Sequence, residues 1–167
     1  MAIRAVQSGA QDYLVKGEVT AKTLIRSIRY AVERREILTR LSAKERRFRE
    51  MADLLPDMLF ETDSELVITY ANRLAMQILR FTQGGINAGL LVTDLAFPGQ
   101  GEIIRRDYAA QIAAGGTEVK TYDLLGNREE AIPCEVHTMV LRNASGQVTG
   151  TRVVVRDITE RTKAAEA

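Results

Sequence analysis

One cysteine, Cys134, and one histidine, His137, are all the thiol and imidazole chemistry this chain carries. A lone thiol excludes an internal disulfide framework, and with a single imidazole it cannot complete a structural zinc site. The two residues also fail as a nucleophile and base. Their odd spacing on a strand turns them to opposite faces. No stretch approaches the roughly 18 uninterrupted apolar residues of a membrane span, and the N-terminus lacks a signal peptide's hydrophobic region. The expectation is a cytoplasmic chain without a membrane partner. Strong charge of one sign is missing too, since 23 Lys and Arg meet 22 Asp and Glu, which argues against a nucleic-acid partner by bulk charge. What remains is 167 residues, 46% of them hydrophobic, enough for one ordinary domain with attachments.

The stretch from Thr20 to Leu55 has neither Pro nor Gly. Leu24, Ile28, Ala31 and Leu38, then Leu41, Phe48, Met51 and Leu55, recur in the steps of three and four of a helical seam. The spacing predicts one long helix, capped by Thr20 and ended by Pro56, with Leu41, Phe48, Met51 and Leu55 as its dimer contacts. A repeated step of three between Leu38 and Leu41 would overwind a coiled coil locally. Glu36 with Arg40 and Glu45 with Arg49 support a solvated face. Ten Lys or Arg against five Asp or Glu leave this helix a net charge of +5. A DNA-reading helix would hold fewer acids and a cluster of Asn or Gln, so DNA binding here is a remote alternative.

Before that helix, residues 1–8 suggest a helix end closed by Gly9, and residues 12–16 a short buried strand. After it, two strands (58–62 and 66–70) flank an Asx turn at Asp63, and Asn72 caps a helix running to about Phe81. Gly84-Gly85 is expected to break that helix. A loop with Asp94, Pro98 and Gly99 leads to an amphipathic helix from Glu102 to Ala114, with Ile103, Ile104, Tyr108 and Ile112 inward and Gly115-Gly116 at its end. Strands 118–125, 131–142 and 147–156, joined by hairpin turns, close the chain. The order predicts an α+β fold, an antiparallel sheet with helices on one face.

Two resemblances follow. Gly9 to Gly17 resembles the last strand of a response-regulator receiver domain, and Thr20 to about Ile37 its final helix. The resemblance makes Lys16 and Tyr13 the remnant of a phosphoryl-sensing site, although the acceptor aspartate would lie upstream of Met1. From Arg47 to Arg161 the chain resembles a PAS domain. Leu55-Pro56-Asp57, the Asp63 turn, Tyr70-Ala71-Asn72, Ile132-Pro133 and above all Arg156-Asp157-Ile158-Thr159-Glu160-Arg161 carry this second likeness. It implies a five-stranded PAS fold whose exit motif, Asp157, Ile158, Thr159 and Glu160, hands a signal to an output domain such as a histidine kinase or diguanylate cyclase. Asp157 and Glu160 could form a capping box there. The expected layout is a receiver remnant over 1–19, a connecting helix over 20–55, a PAS domain over 56–161 and the start of an exit helix over 162–167.

The resemblance also tests cofactors by position. Light-sensing members place a reactive Cys on a helix after the first hairpin, and haem binders a His on the helix matching 102–114. Neither residue stands there, so flavin and haem are disfavoured and no cofactor or metal is predicted. A family-type pocket would be lined by Phe60, Ile78, Phe81, Ile103, Tyr108, Ile112, Cys134 and Val136, which could equally be a packed core. Any ligand would be small and largely apolar. No catalytic constellation is present, and the expectation is a homodimeric sensor and relay module, with a monomeric small-molecule-binding module as the alternative.

Overall fold

The computed structural model describes residues 20–79, 81–115 and 117–166. The expected receiver remnant, with Tyr13 and Lys16, lies outside the described residues. The chain divides into two units between Glu50 and Met51.

Helix α1 runs Ala21–Asp53 without a break. Thr20 and Thr23 cap it reciprocally. The Thr23 N–H donates to Thr20 Oγ1 at 3.2 Å and the Thr20 N–H to Thr23 Oγ1 at 2.9 Å, satisfying donors that have no intrahelical partner. The ion pairs read from the sequence form on its surface, Arg49–Glu45 at 2.7 Å and Arg40–Glu36 at 3.8 Å. The helix stops earlier than Leu55, because the residue before Pro56 is pushed out of helical geometry. The N–H groups of Leu54 and Leu55 then fold back onto the carbonyls of Met51 and Ala52.

In the second unit the strands are β1 (Met58–Asp63), β2 (Ile68–Ala71), β3 (Thr117–Leu125), β4 (Ala131–Arg142) and β5 (Val148–Asp157). They form one antiparallel sheet in the order β2-β1-β5-β4-β3. Between β2 and β3 come α2 (Arg73–Ile78), α3 (Gln83–Asn87), a 3-10 turn (Val92–Leu95) and α4 (Gly101–Ala114), and α5 (Thr159–Glu166) follows β5. The α+β expectation is met.

Strand alternation decides the layers. Along β4, Ile132, Cys134 and Val136 are buried while Glu135 and Met139 face outward, and β5 alternates likewise with Thr151, Val153 and Val155 inside. These side chains pack with Met58, Phe60 and Ile68 against Ala75, Leu79, Phe81, Ile86, Val92 and Leu95. Each large one contributes about 1.5–3 kcal/mol on burial.

The Asp63 turn forms as expected, its Oδ1 accepting from the N–H groups of Glu65 at 2.8 Å and Val67 at 3.0 Å. Two expectations are corrected. Gly84 and Gly85 do not break a helix but lie inside α3, where Thr82 caps the first turn and Ile86 is buried. Those two gains outweigh the roughly 1 kcal/mol per glycine that helix propensity charges. On α4, Ile103 is not inward but 36% exposed, and Gln111 is buried instead.

Candidate functional site

Between the inner face of the sheet and α4 lies a cavity of about 50 Å³. Its floor is apolar, with Phe60, Val136, Val153 and Val155 on three adjacent strands. Leu66, Val92, Ile104 and Leu124 close the sides. Six polar side chains join them: Thr62, Thr138, Thr151, Tyr108, Tyr122 and Gln111. This volume is well under the roughly 300 Å³ at which drug-sized pockets begin, and suits a few waters or a very small solute.

Five of these six side chains are hydrogen-bonded, and the sixth, Thr138, takes part through its main-chain carbonyl. Thr62 and Thr151 bond hydroxyl to hydroxyl at 2.8 Å, and Thr62 Oγ1 donates onward to the Asp63 carbonyl at 3.0 Å. Gln111 Nε2 donates to the Thr138 carbonyl at 2.7 Å. The Tyr108 hydroxyl reaches the Ser64 carbonyl at 3.3 Å, and that of Tyr122 donates to Asp107 Oδ2 at 3.1 Å. Burial pushes both phenols above their ordinary range, and the Asp107 carboxylate raises Tyr122 further. For Asp107 burial acts upward, but hydrogen bonds from Lys120 (3.2 Å), Tyr122 and Arg106 more than offset it, so its carboxyl stays below the usual range.

Of the residues expected to line a pocket, the cavity brings together Phe60, Tyr108 and Val136. Ile78, Phe81, Ile103, Ile112 and Cys134 do not line it. Phe81 and Cys134 are buried in the surrounding core and Ile78 packs against it. Cys134 lies under a layer of side chains that lifts its thiol to about 12, which makes it an inert small hydrophobe.

The expected exit motif, Asp157 to Glu160, forms a second focus. Asp157 Oδ1 accepts from the Thr159 N–H at 2.8 Å and so starts α5. The Ile158 N–H donates to the Pro133 carbonyl at 2.9 Å, tying this junction to β4. The expected capping box is only half built. Glu160 is exposed and, among the described residues, makes no bond back to Asp157, whose N–H sits in the β-ladder opposite Cys134. Arg156, just before, holds Asp57 with two bonds of 3.0 and 2.8 Å, and the bond from this guanidinium keeps the Asp57 carboxyl below its ordinary range. Arg161 of α5 lies 3.7 Å from Glu135, which also binds His137 Nε2 at 3.0 Å.

Sequence reasoning gives Asn72 only as a helix cap, which it is, but not as the most connected buried side chain. Its Oδ1 accepts from the N–H groups of Leu59 and Ala75, both at 3.0 Å, and its Nδ2 donates to the carbonyls of Ala52 (2.9 Å) and Asp57 (3.0 Å). The amide thereby uses both donors and accepts twice, joining the last turn of α1, β1 and α2. Only its capping bond to Ala75 could be read from an Asn ahead of a helix.

Among the described residues no helix is long and apolar enough to cross a membrane, and no group of three or more His, Cys, Asp or Glu could hold a metal ion. The five-stranded antiparallel sheet, the helical layer over it and the cavity between define a small α+β domain. The chain belongs to the PAS fold family, whose model matches residues 52–163. Similar solved structures include a PAS domain from Colwellia psychrerythraea, with a TM-score of 0.63, 21% identity, and coverage of 71% of this chain and 98% of that one. The N-terminal domain of a diguanylate cyclase with PAS/PAC sensor from Marinobacter aquaeolei gives 0.54 at 16% identity, over 64% of this chain and 98% of that one. The PAS domain of the quorum-sensing receptor RpfR from Cronobacter turicensis, in complex with BDSF, gives 0.54 at 14%, over 63% and 96%. At these identities the likeness is one of fold. No curated protein matches the chain.

Proposed function

We propose that this chain is a sensor and relay module of a cytoplasmic signalling protein, itself non-catalytic. It pairs with a second copy through α1 and passes a conformational signal through the Asp157–Glu160 junction to an attached output domain, such as a histidine kinase or diguanylate cyclase. The observation that carries this reading is the bare seam of α1. Ala52 is the one buried residue of a 33-residue helix, while Leu38, Leu41 and Met51 stand 54%, 61% and 60% exposed. A helix gains most of its stability from packing its apolar face, so a seam of this length calls for a partner, and a second α1 supplies a matching one. The output domain is supported by the fold likeness to a diguanylate cyclase's N-terminal sensor. A two-component setting rests on the sequence resemblance of Gly9–Gly17, with Lys16 and Tyr13 as positions that a complete receiver would use. Coupling would run through two packing registers of the paired helices.

Sedimentation tests the pairing. The natural chain should sediment as a dimer, and Phe48→Ala with Met51→Ala should shift it to monomer. A double variant that stays fully dimeric rules out α1 as the seam. The polar groups in the cavity wall favour a second reading, a monomeric ligand-binding module. A monomeric natural chain that retains a small molecule in native mass spectrometry would establish it.

A further inference from the structure

We propose that α4 is a hinged lid over the cavity, latched by the Tyr122–Asp107 and Gln111–Thr138 hydrogen bonds. A helix is ordinarily fixed to a sheet by an apolar stripe, but the only buried residue of this 14-residue helix is Gln111, a polar one. Ile104, Tyr108 and Ile112 are half-buried and Ile103 is exposed. Ile104 and Tyr108 pack against the edge of the core, and polar contacts supply the rest of the attachment. Gln111 binds Thr138, Asp107 binds Tyr122 and Lys120, Tyr108 reaches the Ser64 carbonyl, and Arg142 reaches the Ile112 carbonyl at 3.3 Å. Hydrogen bonds of this kind exchange with water at small net cost, unlike buried apolar area.

Both ends of α4 are built to bend. Gly99 ahead of it has φ +92° and Gly115 at its end φ +70°, values other residues rarely adopt, and neither has a neighbour within 4 Å of where a Cβ would stand. Hinges are placed at such positions, where a few residues absorb the backbone change. The latches are also cavity wall, since Tyr122, Gln111 and Tyr108 all line it. A solute that offered an acceptor to the Tyr122 hydroxyl or the Gln111 amide would compete directly with Asp107 or Thr138. Occupancy and lid position are therefore coupled through the same hydrogen bonds, and lid opening supplies the room that about 50 Å³ does not. This inference does not depend on pairing through α1.

A thiol in the cavity wall reports opening. In a Cys134→Ala background, Thr151→Cys places the only sulfhydryl in the wall, and its reaction with N-methylmaleimide is followed by mass. Adding Asp107→Asn or Tyr122→Phe should speed labelling by about tenfold, while amide exchange of β5 stays unchanged. An unchanged labelling rate overturns the lid, as does acceleration matched by faster exchange of β5, which would mean general loosening. Amide exchange of the natural chain provides an arm that needs no substitution. The amides of α4 should open several-fold more readily than those of β4 and β5, and equal protection would overturn the inference.

Discussion

The side-chain amide of Asn72 donates to the main-chain carbonyl of Ala52 at 2.9 Å, closing the last turn of α1 onto the start of α2. Both residues are buried, Asn72 completely. The same amide holds Asp57 and Leu59, so the end of α1 and the first strand share one bracket. Replacement by alanine strands the N–H groups of Leu59 and Ala75 and the Asp57 carbonyl, and leaves the Ala52 carbonyl with only the Leu55 N–H. Asn72→Ala should lower unfolding stability in urea by about 2–4 kcal/mol. Asn72→Asp should do at least as much harm, because a carboxylate can accept but cannot donate to Ala52 and Asp57, and its charge would be buried.

How much of this was legible in sequence differs from element to element for physical reasons. The long helix, the Asp63 turn and the three closing strands were readable because each rests on local periodicity or a local cap. The inward face of α4 was not. Ile103 and Ile104 are adjacent, so apolar pattern alone cannot choose between them, and the choice falls to Gln111, seven residues after Ile104, whose acceptor on Thr138 comes from a distant strand. Gly84 and Gly85 read as breakers because their compensation is tertiary, the burial of Ile86. The cavity wall was legible only at Phe60, Tyr108 and Val136. Of its other members, Thr62, Gln111, Tyr122, Thr138 and Thr151 are polar residues that no apolar pattern selects, and Leu66, Val92, Ile104, Leu124, Val153 and Val155 are apolar residues that pattern alone does not separate from the packed core. Asn72 looked like an ordinary cap because its bonds to Ala52 and Asp57 cross from one element to another.

Gly150 sets the spacing between β5 and β1. It has φ +152°, and a Cβ there would lie 1.8 Å from the Thr62 carbonyl oxygen, which is main chain and cannot turn aside. Gly150→Ala should therefore cost about 3 kcal/mol or more, the range of severe backbone strain and overpacking. Urea unfolding measures it. Gly146→Ala, at a hairpin turn with φ +81° and open space around it, should cost distinctly less.

Acid should weaken the fold through Asp57. The bond from Arg156, with its charge close by, holds the Asp57 pKa below 3.8, against a smaller opposing push from burial. A carboxyl whose folded value is depressed contributes stability that is fully present above its unfolded value and is lost as pH falls through the folded one. Unfolding stability should therefore be nearly flat from about pH 7 to pH 5 and decline below about pH 4. Asp57→Asn should be less stable at neutral pH and show a shallower decline in acid. Denaturant titrations at a series of pH values compare the two. An unchanged acid slope in the variant would mean that other carboxylates, Asp107 and Glu135 foremost, carry the dependence.

The hydroxyl pair in the cavity wall gives an asymmetric expectation. Thr62 has one hydroxyl proton, and the Asp63 carbonyl at 3.0 Å takes it, so Thr151 must be the donor across the 2.8 Å contact. Thr62→Val removes the acceptor and leaves the buried Thr151 hydroxyl proton without that partner, whereas Thr151→Val removes only a donor and leaves Thr62 bonded to Asp63. The first substitution should cost about 2 kcal/mol and the second about 1 kcal/mol or less, since a stranded donor is penalised more than a vacated acceptor lone pair. With both replaced, no donor is stranded and the wall keeps its shape, so the double variant should be less destabilised than the sum of the singles. A double-mutant cycle by urea unfolding reads this coupling directly. Strict additivity would show that water in the cavity already satisfies the Thr151 hydroxyl when Thr62 is lost.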